Sequence, residues 1–226
     1  MLQTVNDRFS TFEYMAYPTP MTPMPTRSVV FQQSDGKLFI ISPGPFDEET
    51  FKTLEAKSNE IILVSPNMFH HMHIEKSFER WPNVGIYGQP ALWKLKKQPW
   101  IKPYLKDIKE IHTVLSTELK AMFVRGVPAL SETVFYDTKT KTLVITDLCF
   151  NMDNTVSFTT QFLLRAFGAY NKTAQSKLVR MNVKDKSAYK SSMENILQLD
   201  FDQVLISHGN HINDPDAFRS AIEKTF

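Results

Sequence analysis

Two short, continuously apolar runs constrain the fold of this chain more than any other feature. They are Glu60-Ile61-Ile62-Leu63-Val64-Ser65 and Gln203-Val204-Leu205-Ile206-Ser207. Apolar runs of this length without polar alternation are typical of strands that are buried on both faces. Such strands need other layers to cover them, so the sequence predicts packed sheets with helices on the outside.

Turn and capping signals predict the other strands and helices. Ser34-Asp35-Gly36 separates two β-rich runs and is typical of a hairpin turn. Asp47 is the expected N-cap of a helix over 48–57, whose first turn is acidic. Further strands are predicted over 28–32, 37–42, 84–87, 120–125, 133–136 and 142–146, and further helices over 158–167, 187–199 and 214–226.

The stretch over 17–26 contains four prolines, which remove backbone donors and favour extended conformations. We expect an ordered surface loop here, and a mobile flap that faces a substrate is the alternative. A length of 226 residues is typical of one domain or two small ones. The sequence therefore predicts a single domain over 1–226 that carries this Pro-rich loop.

Charge and cysteine content exclude several classes of protein. The 26 Lys and Arg and 24 Asp and Glu give a net charge of +2 without a basic stripe, so nucleic acid is not an expected partner. No stretch approaches the ~20 apolar residues of a membrane span, and the first residues lack a signal-peptide pattern. One cysteine cannot form an internal disulfide, so a cytoplasmic location is predicted.

Histidines follow both buried runs. Five of the six lie in two places, His70, His71 and His73 after the first run and His208 and His211 after the second. Ligand sites gather at the carboxyl ends of strands, so the two groups are candidates for one cleft. Asp147 follows a third strand, and imidazole with carboxylate suits zinc or iron. In the alternative interpretation, Asp147 caps a turn and the histidines bond to backbone carbonyls.

The order of these elements resembles the metallo-β-lactamase superfamily, which has a four-layer αββα sandwich of the α/β (α+β) class. Within that superfamily the chain is similar to the uncharacterised DUF4336 branch. The resemblance spans nearly the whole chain and rests on four segments, Val64-Ser65-Pro66-Asn67-Met68-Phe69-His70-His71, Glu132-Thr133-Val134-Phe135-Tyr136, Leu143-Val144-Ile145-Thr146-Asp147-Leu148-Cys149-Phe150-Asn151 and Asp200-Phe201-Asp202-Gln203-Val204-Leu205-Ile206-Ser207-His208-Gly209.

The chain departs from the superfamily's metal motif, H-x-H-x-D-H, in its first half. The first two histidines of the motif fall on Pro66 and Met68, and its Asp and third His fall on His70 and His71. A further histidine of the pattern is expected within 125–130, where this chain has none. The resemblance therefore implies that the first metal of the usual pair is lost.

The second half of the pattern is present. Asp147 matches the bridging Asp, and His208 in Ser-His-Gly matches the last His. With His70 and His71 they correspond to the second metal position. The resemblance thus implies one divalent ion, zinc or iron, with Asp147 and His71 as catalytic residues, and leaves open whether the ion is bound.

Three classes of function remain. The first is a mononuclear metal-dependent hydrolase of a small ester, lactone, thioester or phosphoester. The second is a non-catalytic protein that binds a metal or small ligand, and the third is a structural or interaction protein on the same scaffold. A small molecule is the expected partner, and the oligomeric state is open, a dimer included. Cys149 is expected to be structural, whereas His73 and His211 are either outer contacts of the site or exposed polar residues.

Overall fold

The computed structural model describes residues 1–95, 98–175 and 177–225. The strands are β1 Leu2–Thr4, β2 Phe9–Ala16, β3 Met24–Gln32, β4 Leu38–Ile41, β5 Ile61–Val64, β6 Gly85–Gly88, β7 Leu105–Asp107, β8 Leu119–Phe123, β9 Thr133–Asp137, β10 Thr142–Ile145, β11 Phe150–Met152, β12 Lys172–Ala174 and β13 Gln203–Ile206. The α-helices are α1 Glu48–Lys57, α2 Ile74–Arg80, α3 Phe158–Phe167, α4 Lys177–Met181, α5 Lys186–Leu197 and α6 Pro215–Glu223. Three 3₁₀ helices cover Pro90–Lys94, Pro99–Ile101 and Ile108–Thr113.

The first sheet runs in chain order from β1 to β7. The predicted hairpin is confirmed, because β3 and β4 pair antiparallel across a turn in which Gly36 has φ +92°. From β4 to β7 the strands are parallel. All four residues of β5 are buried, as its apolar run predicts.

The second sheet has the order β13-β10-β9-β8, and its register positions the polar residues that follow two of its strands. Strands β9 and β10 pair antiparallel, whereas β10 and β13 are parallel. Ile145 and Ile206, the last residues of these two strands, are register partners. The segments that follow β10 and β13 therefore leave the sheet side by side. Strands β11 and β12 form a separate antiparallel pair.

The chain divides into two compact units, 1–13 with 27–121 and 14–26 with 122–226. In the first, aromatic and aliphatic side chains of the sheet are buried, among them Phe9 and Phe31, whose ring centroids are 4.9 Å apart. In the second, Leu143, Val204 and Phe218 belong to one large apolar cluster. Burying each large apolar side chain contributes about 1.5–3 kcal/mol. Among the described residues, no helix has the length and apolar character required to cross a membrane.

The structure confirms several predicted boundaries and corrects others. Helix α1 begins after Asp47, whose carboxylate accepts a hydrogen bond from the Thr50 amide at 2.8 Å. The predicted loop over 17–26 is shorter than expected, because β3 already begins at Met24 and a strand tolerates proline near its first residue. The predicted helix over 214–226 is α6, and Phe226 lies outside the described residues.

Candidate functional site

Asp147 and His208 form a close pair in the second unit. They follow β10 and β13, and the register of these strands brings Asp147 Oδ1 and His208 Nε2 to 3.1 Å. The His208 side chain is 7% exposed and that of Asp147 is 14% exposed. The structure therefore brings together two of the predicted ligands from positions 61 residues apart in the chain.

Glu132 fixes the backbone of Asp147 by hydrogen bonds. Its carboxylate accepts hydrogen bonds from the amides of Thr146 at 2.7 Å and Asp147 at 2.9 Å. Only 1% of Glu132 is exposed. A buried carboxylate with two backbone donors is strongly held, so it fixes the backbone at the end of β10. Glu132 had no predicted role, although a Glu directly before the apolar β9 run is a signal that could have indicated one.

A Glu132→Gln substitution tests this support. We expect it to lower the free energy of unfolding by about 1–3 kcal/mol, because a side-chain amide has one acceptor oxygen and would leave a buried backbone N–H unpaired. Urea denaturation followed by circular dichroism measures the change. The exposed Glu223→Gln provides the control, and an equal effect of both substitutions would contradict the support role.

The second ring nitrogen of His208 contacts the Pro-rich segment. His208 Nδ1 lies 3.2 Å from the Pro25 carbonyl oxygen, which can only accept, so Nδ1 carries the proton. The ring also stacks on Phe150, with centroids 5.1 Å apart and planes 14° apart. The Pro25 segment is itself tied to α3, because the Thr160 hydroxyl donates to the Pro23 carbonyl at 2.5 Å. These contacts hold the imidazole in one orientation.

Gly209 allows the turn that presents His208. Its φ is +101°, and a Cβ at this position would lie 2.2 Å from the Asn151 carbonyl oxygen. The surrounding backbone is hydrogen-bonded, since the Asn151 amide donates to the His208 carbonyl at 3.0 Å. Glycine is therefore required here both for its backbone conformation and for its lack of a side chain.

His70 lies in the first unit, in a turn that follows β5. The Asn67 side chain accepts hydrogen bonds from the amides of Phe69 and His70, both at 2.8 Å. His70 Nδ1 is 2.7 Å from the Ser42 hydroxyl, and Ser42 has φ +58°, an uncommon conformation for a residue other than glycine. His70 is 8% exposed. The turn and the Ser42 contact therefore fix its ring, and Ser42 is a residue that sequence analysis did not identify.

The other candidate histidines have different environments. His71 is half-buried, and its Nδ1 is enclosed without a hydrogen-bond partner among the described residues. Burial lowers the pKa of His71, as it does the pKa of His73, which precedes α2 as its N-cap residue. His211 is partly buried after β13. Among the described residues, His71 Nδ1 therefore lacks the kind of hydrogen bond that orients the His70 ring.

The residues that replace the first metal's ligands are unsuited to bind an ion. Pro66 is buried, and Met68, a poor ligand for borderline dications, is partly buried. In the 125–130 segment, Gly126 has φ +84° and a Cβ there would lie 2.2 Å from the Asp185 carbonyl oxygen. Val127 packs in the core of the second unit. These positions serve packing and chain direction.

Cys149 is a structural residue. It is fully buried, and its Sγ contacts the Phe150 carbonyl oxygen at 3.7 Å. Burial raises the pKa of the thiol from 9.0 to about 12. The reactive thiolate is therefore scarce at neutral pH, which agrees with the predicted structural role.

We expect Cys149 to resist thiol reagents in the folded protein. At pH 8 the buried thiol stays protonated, whereas unfolding returns its pKa to the ordinary value of 9.0 and exposes the sulfur. Labelling with Ellman's reagent in buffer and in concentrated urea measures the difference. Rapid stoichiometric labelling of the native protein would show that this assignment is wrong.

No family model and no curated protein matches the chain, but solved structures do. The DIM-1 metallo-β-lactamase exposed to ceftazidime matches with a TM-score of 0.65 and 13% identity over 100% of this chain and 97% of that one. A metallo-β-lactamase from Erythrobacter litoralis matches with a TM-score of 0.65 and 12% identity over 99% and 96%. The mono-zinc form of FIM-1 from Pseudomonas aeruginosa matches with a TM-score of 0.58 and 10% identity over 99% and 95%.

The chain has the metallo-β-lactamase fold. This confirms the predicted fold class, a mixed α/β architecture of that type. Identities this low show the fold alone, so substrate and metal content do not follow from them. The narrower DUF4336 assignment and the cytoplasmic location stay predictions.

Proposed function

We propose that the protein is a mononuclear metal-dependent hydrolase whose single divalent ion binds to His70, Asp147 and His208. Two imidazoles and one carboxylate match the ligand set of catalytic zinc sites, which leave a further position for water or substrate. The fold supports this proposal, and one fold neighbour, FIM-1, is a mono-zinc form. The loss of ligands at Pro66 and Met68 favours one ion over two.

The contacts of His208 carry the proposal. A neutral imidazole has one N–H, and the Pro25 carbonyl takes it at Nδ1. Nε2 then presents a lone pair to the Asp147 carboxylate 3.1 Å away. Two acceptor atoms at this distance require a positive charge between them, either a proton or a metal ion. Ligands of a tetrahedral zinc ion are separated by about 3.3 Å, so the spacing fits a shared ion.

A hydrogen bond at the second ring nitrogen distinguishes the histidines that are candidate ligands. A metal-binding histidine nearly always uses its other ring nitrogen in a hydrogen bond that orients the ring. His208 has this contact with Pro25, and His70 has it with Ser42. His71 Nδ1 has no such partner among the described residues. We therefore propose His70 as a ligand of the ion. Mutagenesis tests whether His71, also predicted as a ligand, is one.

The chemistry follows from these ligands. A bound divalent ion lowers the pKa of a water molecule and polarises the bond to be cleaved. Asp147 supplies negative charge to the site, and the Pro25 contact orients the ring so that His208 Nε2 faces the ion. Glu132 prevents the Asp147 backbone from shifting. Phe69 and Met72 are half exposed on either side of the His70-His71 pair and favour an apolar part in the substrate.

Metal analysis of untagged protein tests the proposal first. We expect about one zinc or iron ion per chain by plasma mass spectrometry. His70→Ala and His208→Ala should each remove it, whereas His112→Ala, a change at an exposed histidine, should not. His71→Ala should retain the ion if this residue is not a ligand. Metal-free protein that stays metal-free after incubation with zinc and iron would overturn the proposal.

Activity assays separate the hydrolase from the binding protein. The panel contains lactones, thioesters, phosphoesters and β-lactams, assayed before and after removal of the metal by a chelator. Hydrolysis that disappears with the metal and returns on its addition supports the hydrolase. Full metal occupancy without turnover of any substrate class would favour a non-catalytic metal-binding protein instead.

A further inference from the structure

A cavity of about 420 Å³ opens in the second unit, among β12, α4, α6 and the end of α3. Its volume is in the range of sites that hold small molecules. The described residues that line it include neither Asp147 nor His208. The cavity therefore shares none of its described lining residues with the proposed metal site.

The wall of this cavity is cationic. Lys172, Arg180 and Lys224 line it and are exposed, and none of them forms an ion pair with a described acidic residue. A fourth cation is close, because Lys177 Cε lies 3.3 Å from the position of a Cβ on the lining residue Gly168. The described lining residues include no Asp or Glu. Uncompensated cations around a concave surface attract anions.

A buried acceptor also lines the cavity. Gln175 is 3% exposed, and its Nε2 donates to the Tyr189 hydroxyl at 2.5 Å and to the Leu148 carbonyl at 3.2 Å. Its Oε1 is buried without a hydrogen-bond partner in the described part of the chain. Buried amide oxygens usually have a partner, so this atom indicates a missing donor. Ser220 on α6 also lines the cavity, and its hydroxyl can donate a hydrogen bond.

We propose that this cavity binds a phosphomonoester. A phosphate group has about −1.5 to −2 charges at neutral pH, which the three lining cations balance. Arg180 presents the planar fork that matches phosphate oxygens, and Ser220 adds a neutral donor. The site does not depend on the proposed metal centre.

Titration with glucose 6-phosphate, followed by amide chemical shifts of the full-length protein, tests this site. We expect saturable shifts at Thr173, Gln175 and Ser220, and none from glucose at the same ionic strength. Lys172→Gln with Lys224→Gln should weaken binding about tenfold or more, since each removes a charged donor. Lys186→Gln, an exposed change on α5, should leave the affinity unchanged.

Two kinds of result would overturn the proposal. The first is the absence of saturable shifts in the wild-type protein, or an equal loss of affinity in the Lys186→Gln control. The second is shifts centred on Asp147 and His208, because they would place the phosphate at the proposed metal site. Since these substitutions lie on the surface, circular dichroism should show an unchanged fold for each variant.

Discussion

Protein that carries Asp147→Ala should contain almost no metal and hydrolyse nothing. The substitution removes the proposed anionic ligand and leaves His208 Nε2 without the carboxylate 3.1 Å away. Removing a residue that hydrogen-bonds to a metal ligand typically lowers the metal affinity about 10–100-fold. Removing a ligand itself should therefore lower the metal affinity more than about 100-fold. Competition with a coloured zinc chelator measures the affinity, and the chosen substrate measures the activity.

A control substitution at another carboxylate separates the loss of metal binding from the effect of a general change in charge. Asp202 is exposed and precedes β13, so Asp202→Ala removes the same group without touching the pair. We expect wild-type metal content in this control. Cys149→Ala should also keep the metal, because a buried protonated thiol is no ligand. Normal zinc affinity in Asp147→Ala would exclude Asp147 from the metal site.

Gly209→Ala should be the most destabilising single change near the site. It places a side chain at φ +101° and a Cβ within 2.2 Å of the Asn151 carbonyl oxygen. Backbone strain and overpacking each cost about 1–3 kcal/mol, so a loss of about 3 kcal/mol or more in the free energy of unfolding is expected. The turn would shift to relieve the contact, and His208 would shift with it. Metal affinity should therefore fall together with stability.

Gly36→Ala is the matched control for Gly209→Ala. Gly36 has a similar φ of +92°, but a Cβ there meets nothing within 4 Å. This substitution should cost about 1–2 kcal/mol from conformation alone and leave metal binding intact. The difference between the two variants in urea denaturation isolates the steric contribution at Asn151. Equal losses would mean that close approach at Gly209 has no energetic role.

Some elements could be predicted because local chemistry specifies them. Helix α1 begins after Asp47 because the carboxylate caps the Thr50 amide, which is a contact within four residues. Strand β5 is predicted by its apolar run, which only a covered strand can bury. The short strands β1, β11 and β12 were not predicted, because three residues show no clear periodicity and depend on pairing with distant segments.

The sequence by itself determined the continuously apolar strands, such as β5 and β13, and the positions of Asp147 and His208 shortly after two predicted strands. Strand period and burial are local properties, so they can be predicted from neighbouring residues. The tertiary structure alone decided that Ile145 and Ile206 are register partners, which brings Asp147 and His208 together. It also decided that Glu132 and Pro25 support the pair, since hydrogen bonds between residues distant in sequence depend on chain topology.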